Sequence, residues 1–302
     1  MSRRWLSPAI WVASLMVVLA PPFLLDVATL VLIYLVVLAG LNLIMGYGGQ
    51  IALSSAAFLG IGAYASGILT KHFGGGGWLG LAAAIAIAGT SAFLISLPAL
   101  RLRGHYLAMA TLGFNAIASV VFVHATELTG GPNGLTDVPP ISVAGYAIDG
   151  ARPFYVLCWL IAGVVTFGLR RLVDSRYGRA LRAVGANEDA ASATGIDAPR
   201  TKTIAFVLAA VLASLAGWLY VHHLGFCSPE TFDVGASILL VVMIVVGGSA
   251  NPWGPVFGAI AYVALPEALR SALDFELLAF GICLVVLIQR FPRGVAALLH
   301  LR

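Results

Sequence analysis

The chain has 302 residues, of which 60% are apolar and only 10% charged, and its formal net charge is +4. Soluble proteins carry roughly a quarter of their residues as Asp, Glu, Lys or Arg, so this chain is too poor in charge to cover a water-facing surface, and a mean hydropathy of +0.98 excludes a disordered chain. The three cysteines, Cys158, Cys227 and Cys283, form no CxxC pair and no other metal spacing; the length is therefore counted in membrane spans.

A helix crosses the hydrocarbon with about 20 mostly apolar residues. Runs near that length, bounded by Gly, Pro or charge, occur at 8–25, 27–45, 51–70, 78–100, 105–125, 153–169, 203–224, 235–247, 256–273 and 277–289. The eighth run is short and the ninth contains Pro266, so each is also consistent with a broken or re-entrant segment held inside protein. Residues 1–20 resemble a signal peptide in pattern. Pro21 and Pro22 make a poor cleavage site, and the start reads as an uncleaved first span. The expected fold is all-α: one polytopic transmembrane domain over residues 1–302 with about ten membrane helices.

Cytoplasmic loops hold the excess of Lys and Arg. With ten spans and the amino terminus inside, all of the 17 basic residues except Lys71, Arg152 and Arg270 fall on the inner side. Both termini are therefore expected in the cytoplasm. The basic balance is topological, and it calls for no nucleic-acid partner.

The outer loop 127–152 contains Thr129-Gly-Gly-Pro-Asn-Gly134, which reads as tight turns. The segment 170–202 is the sizeable polar stretch on the inner side. Within it a first helix is expected from Arg176 to about Val184, stopped by Gly185. Asn187 then caps a second helix whose first turn holds Glu188 and Asp189, where negative charge complements the helix dipole, and Gly195 ends it. Arg179 and Arg182 share one face of the first helix. Two helices this short are stable only when packed on something. The residues alone leave two readings open, arginines on lipid headgroups or docking to a soluble protein.

Several chemistries lack their residues. Neither lysine, Lys71 or Lys202, follows a phosphate-cradling Gly-rich loop, and no HExxH or GxSxG occurs. No catalytic residues, metal site or cofactor are expected within the chain. Glu267, beside Pro266, is the carboxylate placed within a span; it shares a helix face with Arg270, three residues on, near the outer water, or else serves as the coupling group of an alternative, an ion-coupled secondary transporter acting alone. Small residues line helix faces, with Ala209, Ala213 and Gly217 every fourth position and Gly60, Gly62, Ser66 and Gly67 on another run. They allow close approach of backbones, either within the chain or to a second membrane subunit.

Three stretches resemble the permease subunits of branched-chain amino acid importers of the ATP-binding cassette class. They are Gly40-Leu-Asn-Leu-Ile-Met-Gly-Tyr-Gly-Gly-Gln50 running into Ala56 to Tyr64; Leu100-Arg-Leu-Arg-Gly104 through Ala110-Thr-Leu-Gly-Phe114 to Leu135; and Gly178-Arg-Ala-Leu-Arg-Ala-Val184 with Asn187-Glu188, Val246-Gly-Gly248 and Gly254-Pro-Val-Phe-Gly-Ala259. The resemblance implies alternating access in the bacterial inner membrane, moving branched-chain amino acids or a related solute such as another amino acid, an amide or urea. It implies three kinds of partner besides lipid: a homologous second permease, two cytoplasmic ATP-binding subunits that hold ATP and Mg, and an extracytoplasmic solute-binding protein. By resemblance Arg176, Arg179, Arg182, Asn187, Glu188, Asp189 and Gly195 couple to the ATPases, and Thr129 and Asn133 meet the binding protein. Asn42, Tyr47, Gln50, Ser54, Ser55, Thr111 and Asn115 are candidates for the solute path, since non-helical backbone at depth is tolerated where it lines a cavity.

Overall fold

The structure is a computed structural model. It describes residues 11, 14–74, 76–100, 102, 104–143, 146–148, 150–270, 281, 285–287, 289–290 and 294–297. Eight long or apolar helices build the bundle: α1 (Pro22–Leu41), α2 (Ser55–Phe73), α3 (Gly77–Ala99), α4 (His105–His124), α5 (Ala151–Asp174), α8 (Ala198–Leu224), α9 (Val234–Gly247) and α10 (Gly254–Arg270). Two short helices, α6 (Arg176–Ala186) and α7 (Glu188–Ala193), stand between α5 and α8. Two-residue strands β1 (Ser142–Val143) and β2 (Tyr146–Ala147) pair antiparallel in the loop before α5. Among the described residues five helices are long and apolar enough to cross a membrane: Pro22–Tyr47, in which α1 runs on through a π turn, with α3, α4, α5 and α8. The all-α polytopic reading holds. The tenth expected span, 277–289, lies mostly outside the described residues.

One expected boundary moves. The break after the first span falls at Ala20 and Pro21, and α1 begins at Pro22 rather than after Leu25. Pro22 takes a first-turn position, where a missing N–H costs nothing and the fixed φ favours helix, so the two prolines that argue against cleavage also start α1. At 14 residues α9 is too short to cross the hydrocarbon, whereas α10 runs on through Pro266.

The core is the crossing of α2, α3 and α8, and small residues permit it. A Cβ on Gly62 would meet the Ser214 backbone, and one on Gly217 would meet the Leu59 carbonyl. On α3 the buried positions Gly80, Ala84, Ala88, Ala92 and Ser96 recur every fourth residue, while Leu79, Phe93 and Leu94 face outward. With lipid as solvent, apolar burial does not drive association, and close backbone packing does. The small-residue faces are thus spent within the chain.

At one end of the bundle the loop 130–143 is pinned down by hydrogen bonds. Leu135 and Cys227 form a bridge, Lys71 Nζ donates to the Thr136 carbonyl at 2.7 Å, and Trp78 Nε1 donates to the Ser142 carbonyl at 3.0 Å. His222 donates from Nδ1 to the Pro139 carbonyl at 2.8 Å, which leaves Nε2, 2.9 Å from Ser66 Oγ, to accept from the hydroxyl. His222 is therefore a satisfied tie between α8, α2 and this loop.

Candidate functional site: a polar seam beneath a short helix pair

At the other end α1 stops being an α-helix. Residues Asn42–Tyr47 form a π turn, Gly48 N donates to the Leu43 carbonyl at 3.1 Å, and the chain continues without helix to Ser54. π turns occur disproportionately at functional sites. Asn42 holds the turn to the loop between α9 and α10: its Nδ2 donates to the Asn251 carbonyl and its Oδ1 accepts from Ala250 N, each at 2.9 Å. Both ends of this amide are occupied, so Asn42 acts as a clamp.

The start of α2 is buried, and a helix start leaves backbone N–H groups without partners in the helix. Ser54 precedes it, buried, but makes no side-chain cap bond. Other helices supply the acceptors. Thr111 of α4 accepts from Leu53 N at 2.9 Å, Asn115 of α4 accepts from Ala57 N at 2.7 Å, and Ser237 of α9 accepts from Ala56 N at 2.9 Å. The Ser237 hydroxyl in turn donates to Asn115 Oδ1 at 3.1 Å. Thr111, Asn115 and Ser237 are each fully buried. The Asn115 amide nitrogen and both polar atoms of the Gln50 side chain are buried without a partner, and in a membrane interior such groups are costly and tend to be retained for a function.

The structure thus gathers Ser54, Ser55, Thr111 and Asn115 at one seam, with Gln50 on the segment leading into it. Tyr47, half-buried, ends the π turn beside an apolar groove against α5 and α10. Ser237 escaped the sequence reading. Its signal was a lone hydroxyl near the start of the otherwise apolar run 234–247.

Below the seam sits the helix pair. The α6 helix is capped by Ser175, whose Oγ accepts from Gly178 N, and α7 by Asn187, whose Oδ1 accepts from Ala190 N at 3.0 Å. Arg176, Arg179 and Arg182 are exposed on α6, and Arg179 Nη1 donates to the Asp174 carbonyl at 3.1 Å. Glu188 lies 2.6 Å from Lys202 Nζ in a pair that ties α7 to α8, with the Lys202 side chain only 6% exposed. Lys202, absent from the expected set, is thus the partner of one of its members. Asp189 and Gly195 are exposed, and Gly195 has φ +85, which suits the chain reversal before α8. Tyr177 donates to the Thr201 carbonyl at 2.8 Å, and burial raises its hydroxyl pKa to about 12, so it stays a neutral donor.

Gly185 is a correction. It does not stop α6, which runs to Ala186. Gly185 instead lies against the segment leading to the seam: a Cβ on it would stand 2.8 Å from the Tyr47 carbonyl oxygen and 2.9 Å from the Gly48 carbonyl carbon. The glycine is needed for close approach, and the signal was mistaken for a turn. A cavity of about 260 Å³ opens beside this contact, between residues 48–51, Leu102, Gly104, Leu107 and the helix pair, with the Glu188–Lys202 pair in its wall.

Thr129 is the second correction. It is buried, and its hydroxyl serves the turn around it, donating toward the Phe122 carbonyl at 2.8 Å and accepting from Gly131 N. It presents no docking surface, whereas Asn133 is exposed. Glu267 lies half-buried within α10.

The family described as branched-chain amino acid transport system, permease component, matches residues 23–288. The chain is similar to the high-affinity branched-chain amino acid transport system permease protein LivM of Escherichia coli K12, 32% identical over 94% of this chain and 73% of that protein. It is also similar to a probable branched-chain amino acid transport permease of Methanocaldococcus jannaschii, 23% identical over 87% of this chain and 90% of that protein. The fructose import permease FruG of Bifidobacterium longum matches a shorter part, 33% identical over 39% of this chain. No solved structure matches.

Proposed function

The chain belongs to the family of permease components of branched-chain amino acid transport systems, and we propose that it is the permease subunit of an ATP-driven importer of branched-chain amino acids in the bacterial inner membrane. It works by alternating access beside a homologous second permease. Two cytoplasmic ATP-binding subunits supply the energy, and an extracytoplasmic binding protein delivers the solute. The observation that carries this reading is the family match across nearly the whole chain, joined to a capped, arginine-bearing helix pair that packs against the non-helical segment between α1 and α2. Both termini and α6–α7 face the cytoplasm in this reading, as the arginine bias requires. Arg176, Arg179, Arg182 and Asp189 are the groups offered to the ATPases. Glu188 with Lys202 fixes the α7 end of the surface, and the seam around Gln50, Ser54, Ser55, Thr111 and Asn115 borders the solute path.

The test is reconstitution. The assembled complex with binding protein and lumenal ATP should accumulate leucine in liposomes, and the same liposomes without the ATP-binding subunits should accumulate none, with or without a proton or sodium gradient. Gradient-driven uptake by the isolated chain would overturn the assignment and point to Glu267.

A further inference from the structure

The α6 helix packs on the transmembrane bundle through the buried Leu181 side chain and, at Gly185, through main-chain atoms. Gly49, at φ +64, lies so close to Gly185 that a Cβ on Gly49 would stand 2.9 Å from the Gly185 carbonyl oxygen, and the reciprocal distances from Gly185 to Tyr47 and Gly48 are as short. From Gly49 the chain runs five residues to the start of α2, where the first amide groups are held by Thr111, Asn115 and Ser237 on two further helices. The nearest neighbours of each glycine at the Gly49–Gly185 contact are main-chain atoms, and Leu181 packs on the adjoining Gly48. The seam at the far end is a set of discrete hydrogen bonds in a low-dielectric interior, where each bond either holds or breaks.

Resting on the assignment of α6–α7 as the docking element, we propose that Gly185, Gly49 and the Thr111–Asn115–Ser237 cap form one relay, in which motion of α6 is passed by backbone contact to the segment 48–54 and released as a shift of the α2 start against α4 and α9. Asn115 is its positioning residue: a single oxygen accepts from both Ala57 N and Ser237, and so locks α2 to α4 and α9 together. The Asn115 amide nitrogen has no partner, so the role falls on the oxygen alone. That makes a specific substitution informative, because Asn115→Asp keeps the accepting oxygen while Asn115→Leu removes it.

The experiment measures leucine taken up per ATP hydrolysed by the assembled complex, a ratio that does not change when part of the protein is merely lost. Gly185→Ala and Asn115→Leu should lower the ratio several-fold. Asn115→Asp should keep a clearly larger share of the ratio than Asn115→Leu, and Gly168→Ala, on α5 where an added Cβ meets nothing within 4 Å, should leave it unchanged. Hydrogen exchange supplies a readout independent of transport. In the Gly185→Ala complex the amides of residues 53–57 should exchange faster by about fivefold, the factor for one weakened hydrogen bond of roughly 1 kcal/mol. Unchanged exchange there, or an Asn115→Leu complex that couples as well as Asn115→Asp, overturns the relay. Failure of the wild-type complex to transport would count against the functional assignment instead, and the exchange comparison would still decide the mechanical link.

Discussion

Helix α2 is held in two different ways along its length. Its middle crosses α8 through Gly62 and Gly217, where backbone lies on backbone and an added side chain has nowhere to go. Its start is held by three side-chain acceptors from α4 and α9. The crossing gains many small dispersion contacts that are lost together if the helices part. The start gains a few directional bonds, each worth about 1 kcal/mol net and each able to break separately. A bundle that must change shape needs both: a crossing that moves as a unit and a seam that can exchange partners.

The largest expected effect comes from breaking the crossing. Gly217→Val would drive a branched side chain into the Leu59 carbonyl, and no monodisperse folded protein should be recovered by size-exclusion chromatography; recovery at wild-type yield would mean that the crossing is looser than the geometry requires. Next comes the charged tie at the edge of the bundle. Lys202→Met removes the buried cation that ties α7 to α8 and should cost about 3 kcal/mol, at the low end for a buried pair because Glu188 keeps some exposure. The damage should stay local, seen as protease sensitivity within 187–197, with the reversed pair Lys202→Glu plus Glu188→Lys restoring protection.

Breaking the seam should cost less. Ser237→Ala strands the Ala56 amide, and a thermal melt should register a loss of about 1 to 2 kcal/mol, with the increase in exchange confined to the α2 start. The smallest effect sharpens the comparison from the other side. Gly168 meets nothing within 4 Å of an added Cβ, so Gly168→Ala should stabilise α5 by about 0.5 to 1 kcal/mol. Destabilisation there would show a neighbour packed on α5 in the measured state.

Apolar runs and the turn residues between them made most of the fold legible. Spans two to nine become helices because run length and flanking Gly, Pro and charge are local properties. The caps at Asn187 and the acidic first turn of α7 were legible for the same reason. The seam was only half legible. Thr111 and Asn115 stand out as polar residues in an apolar run, but their donors lie 58 residues away in sequence, and Ser237, a lone hydroxyl in its own apolar run, is paired with Ala56 across 181 residues. Gly185 misled for a related reason. A glycine that ends a helix and one that admits another backbone look alike until the second backbone is placed.

The π turn at Asn42–Tyr47 acts as a phase shifter for α1. In an α-helix each residue turns the chain by about 100°, so one residue too many in a turn rotates everything before it relative to everything after. Upstream of the turn, α1 sets Tyr34 against Tyr262 of α10, ring centroids 4.3 Å apart. Near the end of the turn, Gly46 is brought so close to Ala250 that a side chain would collide with it. Removing one residue from the turn would heal the helix and leave the chain able to satisfy only one of these two faces. The surplus residue lets one continuous segment keep two angular appointments with the same neighbouring hairpin.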